Sequence, residues 1–308
     1  MMADTTEREG IILIMGVTGV GKSTFINQLK PGSAVVGHTM ESTTQTPQAV
    51  KIVLDEAKTE SVTVVDTPGF DDTWRSDERV LEEIAEYMAT QYVLGVPLKG
   101  IIYMHSITEV RMKGSSLKFL NMFQSLCGDE AMKKVTLVTT HWDAIKPEDM
   151  ANALRREQEL INRWWAPMLQ KGSWTTQYHG TRESAEALVL ELAEDDDGIV
   201  LDVQRELVDD NKRLGDTRAG LPFKQQLDKE MAVHMADNQE GENIGSLPLD
   251  DELEQKQQRL KANIGERVKM RIARIREELK NNPNIASGVR IFTKVLSLAL
   301  TIASLATL

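Results

Sequence analysis

The chain has 308 residues, 41% of them hydrophobic, with a formal net charge of −11. That length permits one large domain, or a domain of about 200 residues with an appendage, and the apolar content excludes a disordered chain. The acidic balance argues against nucleic acid as the main partner, and a lone cysteine, Cys127, excludes an internal disulfide and fits a reducing compartment.

Residues 1–10 are polar and acidic without an apolar stretch of signal-peptide type, so a cytoplasmic location is expected. Residues 11–15 (IILIM) then read as a short strand buried on both faces and ended by Gly16. A helix is predicted from Lys22 to Leu29. Segments 49–54 and 61–65 flank a polar turn and predict a hairpin. Helical spacing follows over 76–91. Next come a strand at 100–104, a helix at 115–126, a strand at 135–139, a helix over 148–169 and a strand at 174–178. Strands alternating with helices predict an α/β domain of three layers over residues 10–190, with its functional loops at the strand ends. Beyond it a helical extension is expected over 191–235 and a linker over 236–250, where Gly241, Gly245 and Pro248 interrupt the pattern. Leu253, Leu260, Ile264, Val268, Ile275 and Leu279 then make a narrow apolar stripe of coiled-coil type, predicting one long basic helix over 251–282.

The most informative segment is Gly16-Val17-Thr18-Gly19-Val20-Gly21-Lys22-Ser23-Thr24, between the first strand and the first helix. Its glycines let backbone N–H groups converge on a phosphate, and the helix N-terminus adds its dipole. Lys22 is the expected cation for β- and γ-phosphates, and Ser23 the expected oxygen ligand of Mg²⁺. Asp66, at the end of a strand and starting Asp66-Thr-Pro-Gly69, suits Mg²⁺ coordination, and the Gly69 N–H can approach a γ-phosphate. Between these segments Thr44, within Glu41-Ser-Thr-Thr44-Gln-Thr46, is the favoured hydroxyl to close on the metal. The run Thr139-Thr140-His141-Trp142-Asp143 follows a strand. A carboxylate at Asp143 accepts the N1–H and exocyclic amine of guanine, a donor pair that adenine lacks. An imidazole at His141 can stack on the base. Phe70 follows Gly69, and an apolar side chain cannot orient water, so slow hydrolysis is expected.

Together DTPGFDDT (66–73), VGHTMESTT (36–44) and TTHWD (139–143) resemble the immunity-associated nucleotide-binding GTPases of the wider septin- and Toc-like group, and look most like its fungal G-domain proteins. The resemblance covers residues 10–190. It implies a P-loop GTPase domain that binds GTP or GDP with Mg²⁺. It implies Lys22, Thr44 and Gly69 at the reacting phosphate, Ser23, Thr44 and Asp66 on the metal, and Thr140, His141 and Asp143 at the base. It also implies activation by dimerisation across the nucleotide faces. His141 stands where many members have lysine. By position, His179-Gly180-Thr181 is the candidate for the last base-contacting loop.

Residues 255–294 carry eleven cations against three glutamates, a net +8 that leaves −19 for the rest of the chain. Residues 287–308 end the chain in an apolar segment, uncharged from Val295 to Leu308. Fourteen residues make a helix of about 21 Å, short of a bilayer core of about 30 Å. The pair predicts contact with an anionic membrane, peripheral or tail-anchored with the bulk facing the cytosol. Packing of the segment onto the protein or a second copy is the other expectation. Two functions stay open: a GTP-hydrolysing switch, and a nucleotide-gated assembly or scaffold protein whose turnover is incidental.

Overall fold

A computed structural model describes residues 10–32, 48–53, 61–69, 76–194, 197–239 and 247–281. The expectations for Thr44, for Phe70 and for the apolar segment 287–308 lie outside these residues.

Six strands form one sheet in the order β2-β3-β1-β4-β5-β6. They are β1 (Ile11–Met15), β2 (Gln48–Val53), β3 (Ser61–Asp66), β4 (Leu98–Ser106), β5 (Val135–Thr140) and β6 (Trp174–Gln177). β2 runs antiparallel to β3 as the expected hairpin, and every other pairing is parallel. All five residues of β1 are fully buried. The physical cause is visible in the two core clusters. Ile11, Leu13 and Met15 face one of them, with α2 (Asp77–Leu94) and α3 (Gly114–Cys127). Ile12 and Ile14 face the other, with α1 (Lys22–Leu29) and α6 (Arg182–Ala193). A strand covered on both faces has no polar side, which is why IILIM does not alternate. Two helical layers around a mostly parallel sheet, followed by a helical C-terminal region, make the expected three-layer fold.

The helix predicted over 148–169 is divided into α4 (Met150–Glu159), a π-helical turn over Leu160–Trp164, and α5 (Ala166–Leu169). Pro167 has no N–H to continue the ladder. The wide turn rotates Trp165 inward, where it is fully buried, and its backbone N–H donates to Leu160 O at 2.7 Å.

The C-terminal region corrects the coiled-coil expectation. In place of one long helix there are α9 (Leu247–Leu260) and α10 (Ile264–Asn281), preceded by the short α7 (Asp202–Gln204) and by α8 (Leu221–Gln239). Asn263 interrupts the run: its Oδ1 accepts the Glu266 N–H at 3.1 Å, an N-cap that starts a new helix. The stripe then folds back onto the main domain. Leu253, Leu260, Ile264 and Val268 of the stripe, joined by Ile272, are buried in the same cluster as Val80, Leu81 and Ile84 of α2, while the side chains of Ile275 and Leu279 lie outside those described.

Part of the basic charge of this region is paired within the molecule. Arg259 and Arg267 reach Glu82 at 3.1 and 3.2 Å, and Arg267 and Arg271 reach Glu86 at 2.8 and 2.7 Å. Lys256 pairs with Glu252 at 3.0 Å. The side chains of Glu82 and Glu86 are each only 15% exposed, so this network is better shielded than an ordinary surface pair. The double variant Glu82→Ala/Glu86→Ala leaves three arginines facing one another. It is expected to cost about 2–3 kcal/mol, which for a chain of this size lowers Tm by roughly 3–5 °C. An unchanged Tm would mean that apolar packing alone carries the α10–α2 contact. Among the described residues no helix is long and apolar enough to cross a membrane.

Candidate nucleotide-binding site

The parallel register aligns the C-terminal ends of four strands along one edge. Ile14 pairs with Asp66, Met15 with Tyr103, and Ser106 with Thr140. β1 lies between β3 and β4, so its outgoing loop emerges where the connections diverge to opposite faces, the usual place for a ligand in such sheets.

That loop is residues 16–21. Gly21 closes it at φ 95°, a left-handed conformation that a side chain would strain, and hands the chain directly to α1. Lys22 folds back over the loop, its Nζ donating to Gly16 O at 3.0 Å and Val17 O at 3.1 Å. The lysine is buried, and burial lowers its pKa against an opposing pull from the Asp66 carboxylate. A buried cation of this kind is stabilised by a phosphate that comes to face it. Thr24, next along α1, is exposed, and Gly19 stands at the exposed tip of the loop.

Ser23 and Asp66, separated by 43 positions in sequence, meet here: Ser23 Oγ donates to Asp66 Oδ2 at 2.8 Å. Thr67 holds the turn after Asp66 by donating to Ile14 O at 2.8 Å. A hydroxyl and a carboxylate oxygen at the end of a strand fit Mg²⁺, which takes few protein oxygens and completes its shell with phosphate and water. Among the described residues no group of three or more His, Cys, Asp or Glu forms a metal cage. Gly69 packs against the loop so closely that a Cβ there would lie 2.5 Å from Thr18 Oγ1 and 2.8 Å from Thr18 N. A side chain at 69 would force the two segments apart.

The end of β5 and the turn after it divide the work. Thr140 donates through Oγ1 to Val20 O at 2.9 Å, tying the strand end to the phosphate loop. His141 adopts φ 61° and turns the chain. Its Nδ1 lies 2.9 Å from Ser106 Oγ, and its Nε2 lies 3.4 Å from where a Cβ on Gly21 would be. The imidazole therefore rests beside the loop. Burial lowers its pKa, against the nearby Asp143, so the ring is neutral at physiological pH. Trp142 anchors the turn: it is buried, and its Nε1 donates to Thr139 Oγ1 at 3.0 Å. Asp143 is thereby left exposed at the tip.

β6 ends alongside β5, with Tyr178 N donating to Thr139 O at 2.9 Å. His179 is exposed and Gly180 turns at φ 73°, while Thr181 caps α6 by accepting the Ser184 N–H at 3.2 Å. Two participants were not singled out from sequence. Tyr178 packs edge-on against Phe25 of α1, its centroid 5.1 Å away. Its pKa is pushed up to about 12 by burial and then by Asp143. Ser106 joins His141 to Thr108, whose Oγ1 lies 2.6 Å from Ser106 Oγ. A serine at a strand end was the available signal, but serine is common in such places. A cleft of about 550 Å³ opens between residues 17–20 and the loop after β4, lined also by Ser106, Glu109, Arg111 and His141.

Comparison with known proteins agrees with this geometry. Residues 11–125 match the family model described as 50S ribosome-binding GTPase, a span below half of the chain. No curated protein matches the chain. Among solved structures, a dimerization-deficient mutant of Toc33 from Arabidopsis thaliana superposes with a TM-score of 0.50 at 16% identity, over 63% of this chain and 88% of that one. Toc33 from the same plant in complex with GDP and Mg²⁺ gives the same four values. At this identity the likeness establishes the fold, that of a P-loop GTPase.

Proposed function

We propose that the chain binds GTP and GDP with Mg²⁺ and hydrolyses GTP slowly to GDP and phosphate, with turnover raised when two copies meet across their nucleotide faces. The observation that carries the reading is the Ser23 Oγ–Asp66 Oδ2 contact of 2.8 Å, with Lys22 folded over the adjoining loop. A pair of metal-ligand oxygens and a phosphate cation thus come together at one point of the sheet edge. Asp143 at the end of β5 selects guanine, because an adenine would leave its carboxylate without donors.

The residues have distinct roles in this reading. Lys22 exchanges its carbonyl partners for phosphate oxygens. The N–H groups of residues 16–22 hold the β-phosphate by dipole and hydrogen bond. Ser23 and Asp66 hold Mg²⁺, which when bound neutralises charge on the β- and γ-phosphoryl oxygens. Gly69 would offer its N–H to the γ-phosphate, and Thr44, outside the described residues, would supply a further hydroxyl to the metal. His141 stacks on the base as a neutral ring, beside His179 and Gly180. A pure assembly role is the weaker reading, since the apolar stripe that would join two chains packs against α2 of its own chain.

The test is to denature the purified protein and identify the released nucleotide, then to follow phosphate release over a range of protein concentrations. GDP or GTP is expected, with a rate per molecule that climbs as dimers form. Released adenine nucleotide would end the guanine assignment, and a rate per molecule flat across the dimerisation range would end activation by pairing.

A further inference from the structure

Thr18 carries a hydroxyl with no evident structural task. Its Oγ1 is fully buried and has no hydrogen-bond partner among the described residues. A threonine hydroxyl is easily satisfied, because it rotates and both donates and accepts. Leaving it buried and unpaired is unfavourable. Nothing in the packing requires that cost, since valine has the same shape without it.

Its position gives the cost a purpose. Thr18 lies in the loop that Lys22 covers, and it touches the segment that follows Asp66 at Gly69. The hydroxyl therefore lies on the side of the phosphate loop that packs against Gly69, the residue whose backbone N–H is expected to meet the γ-phosphate. It also borders the cleft of about 550 Å³. In sequence the residue after Gly69 is Phe70, which has no polar side-chain atom to offer a water.

We propose that Thr18 is a catalytic residue that holds the attacking water against the γ-phosphate, an inference that rests on the GTP reading above. Its Oγ1 accepts a hydrogen bond from the water and donates its own proton to a γ-phosphoryl oxygen. The water oxygen bonds to the γ-phosphorus, and the bond from that phosphorus to the bridging oxygen breaks. The electron pair leaves with the β-phosphate of GDP. One water proton stays on the new P–O bond and the other passes to a γ-phosphoryl oxygen, giving dihydrogen phosphate. Threonine remains a neutral hydroxyl throughout, since its role is orientation and not proton abstraction.

The test compares Thr18→Val, which keeps the shape, with Thr18→Ser, which keeps the hydroxyl. Each full-length variant is measured for GDP affinity and for kcat and KM with GTP and Mg²⁺. Thr18→Val is expected to lose on the order of 10²-fold in kcat, as when one positioned polar contact is removed from a transition state. Its GDP affinity should stay within about twofold, because GDP has neither γ-phosphate nor attacking water, and 10²-fold corresponds to about 2.7 kcal/mol against which twofold is small. Thr18→Ser is expected to retain most of the wild-type kcat. Wild-type kcat in Thr18→Val overturns the proposal. So does a parallel fall in kcat and GDP affinity, which would mark Thr18 as part of the loop's framework. Absence of GDP binding in the wild-type protein is a separate result, and it removes the guanine reading itself.

Discussion

Lys22→Ala is expected to abolish detectable nucleotide binding, with a loss on the order of 10²–10³-fold in affinity for GDP and GTP alike. The lysine is a buried cation at the end of the phosphate loop, and hydrogen bonds to charged groups are worth about 1.5–3 kcal/mol each, so the loss of one or two phosphate contacts, the second at the low end, accounts for that range. The same variant should fold normally. Burial disfavours the charged ammonium, against the pull of the Asp66 carboxylate, so removing it relieves a desolvation cost. The Gly16 and Val17 carbonyls that it leaves behind border an open loop and can turn to water. Isothermal titration with GDP and a melting curve check both halves. Wild-type affinity in this variant would sink the phosphate-site assignment, and a collapse in Tm would show Lys22 to be structural.

The second large effect is expected from Asp143→Asn. Asp143 is exposed at the tip of a turn that Trp142 secures, so the substitution leaves the fold intact. GTP affinity should fall on the order of 10²-fold or more, because two charge-assisted hydrogen bonds from guanine become neutral or mismatched. Xanthosine triphosphate should gain, since the Asn amide donates to the 2-oxo group where the carboxylate accepted from the 2-amine. Competition between the two nucleotides reads the switch directly. Retained guanine preference would put base recognition elsewhere, with Tyr178 and the turn at His179–Gly180 the next residues to substitute.

Much of this was legible in the sequence because it is local. The run from Gly16 to Ser23 needs glycine at a left-handed turn and a lysine one residue later. Those demands act within one short loop, so they survive as a pattern. The bounds of β1 and α1 were equally legible, since an apolar run and a glycine-ended loop admit few other conformations. Thr139 to Asp143 was legible as a strand end with a carboxylate at its tip, yet the reason for Trp142 was not. Its indole nitrogen donates to Thr139, which in turn donates to Glu157 of α4 at 2.9 Å.

By itself, then, the sequence determined the α/β architecture and the kind of ligand its loops suit, through short segments whose chemistry is self-contained. Tertiary structure alone decided how those segments meet. The motifs put Ser23 and Asp66 on one metal, but their direct contact follows from β1 and β3 being parallel neighbours in register, with Ile14 beside Asp66. It decided the fate of the basic C-terminal helices as well. A period of seven and four is the same for a helix facing a partner chain and for one facing its own domain. What separates the two is the presence of Glu82 and Glu86 on α2, far back in the chain, which give Arg259, Arg267 and Arg271 partners that a second chain would otherwise have to supply.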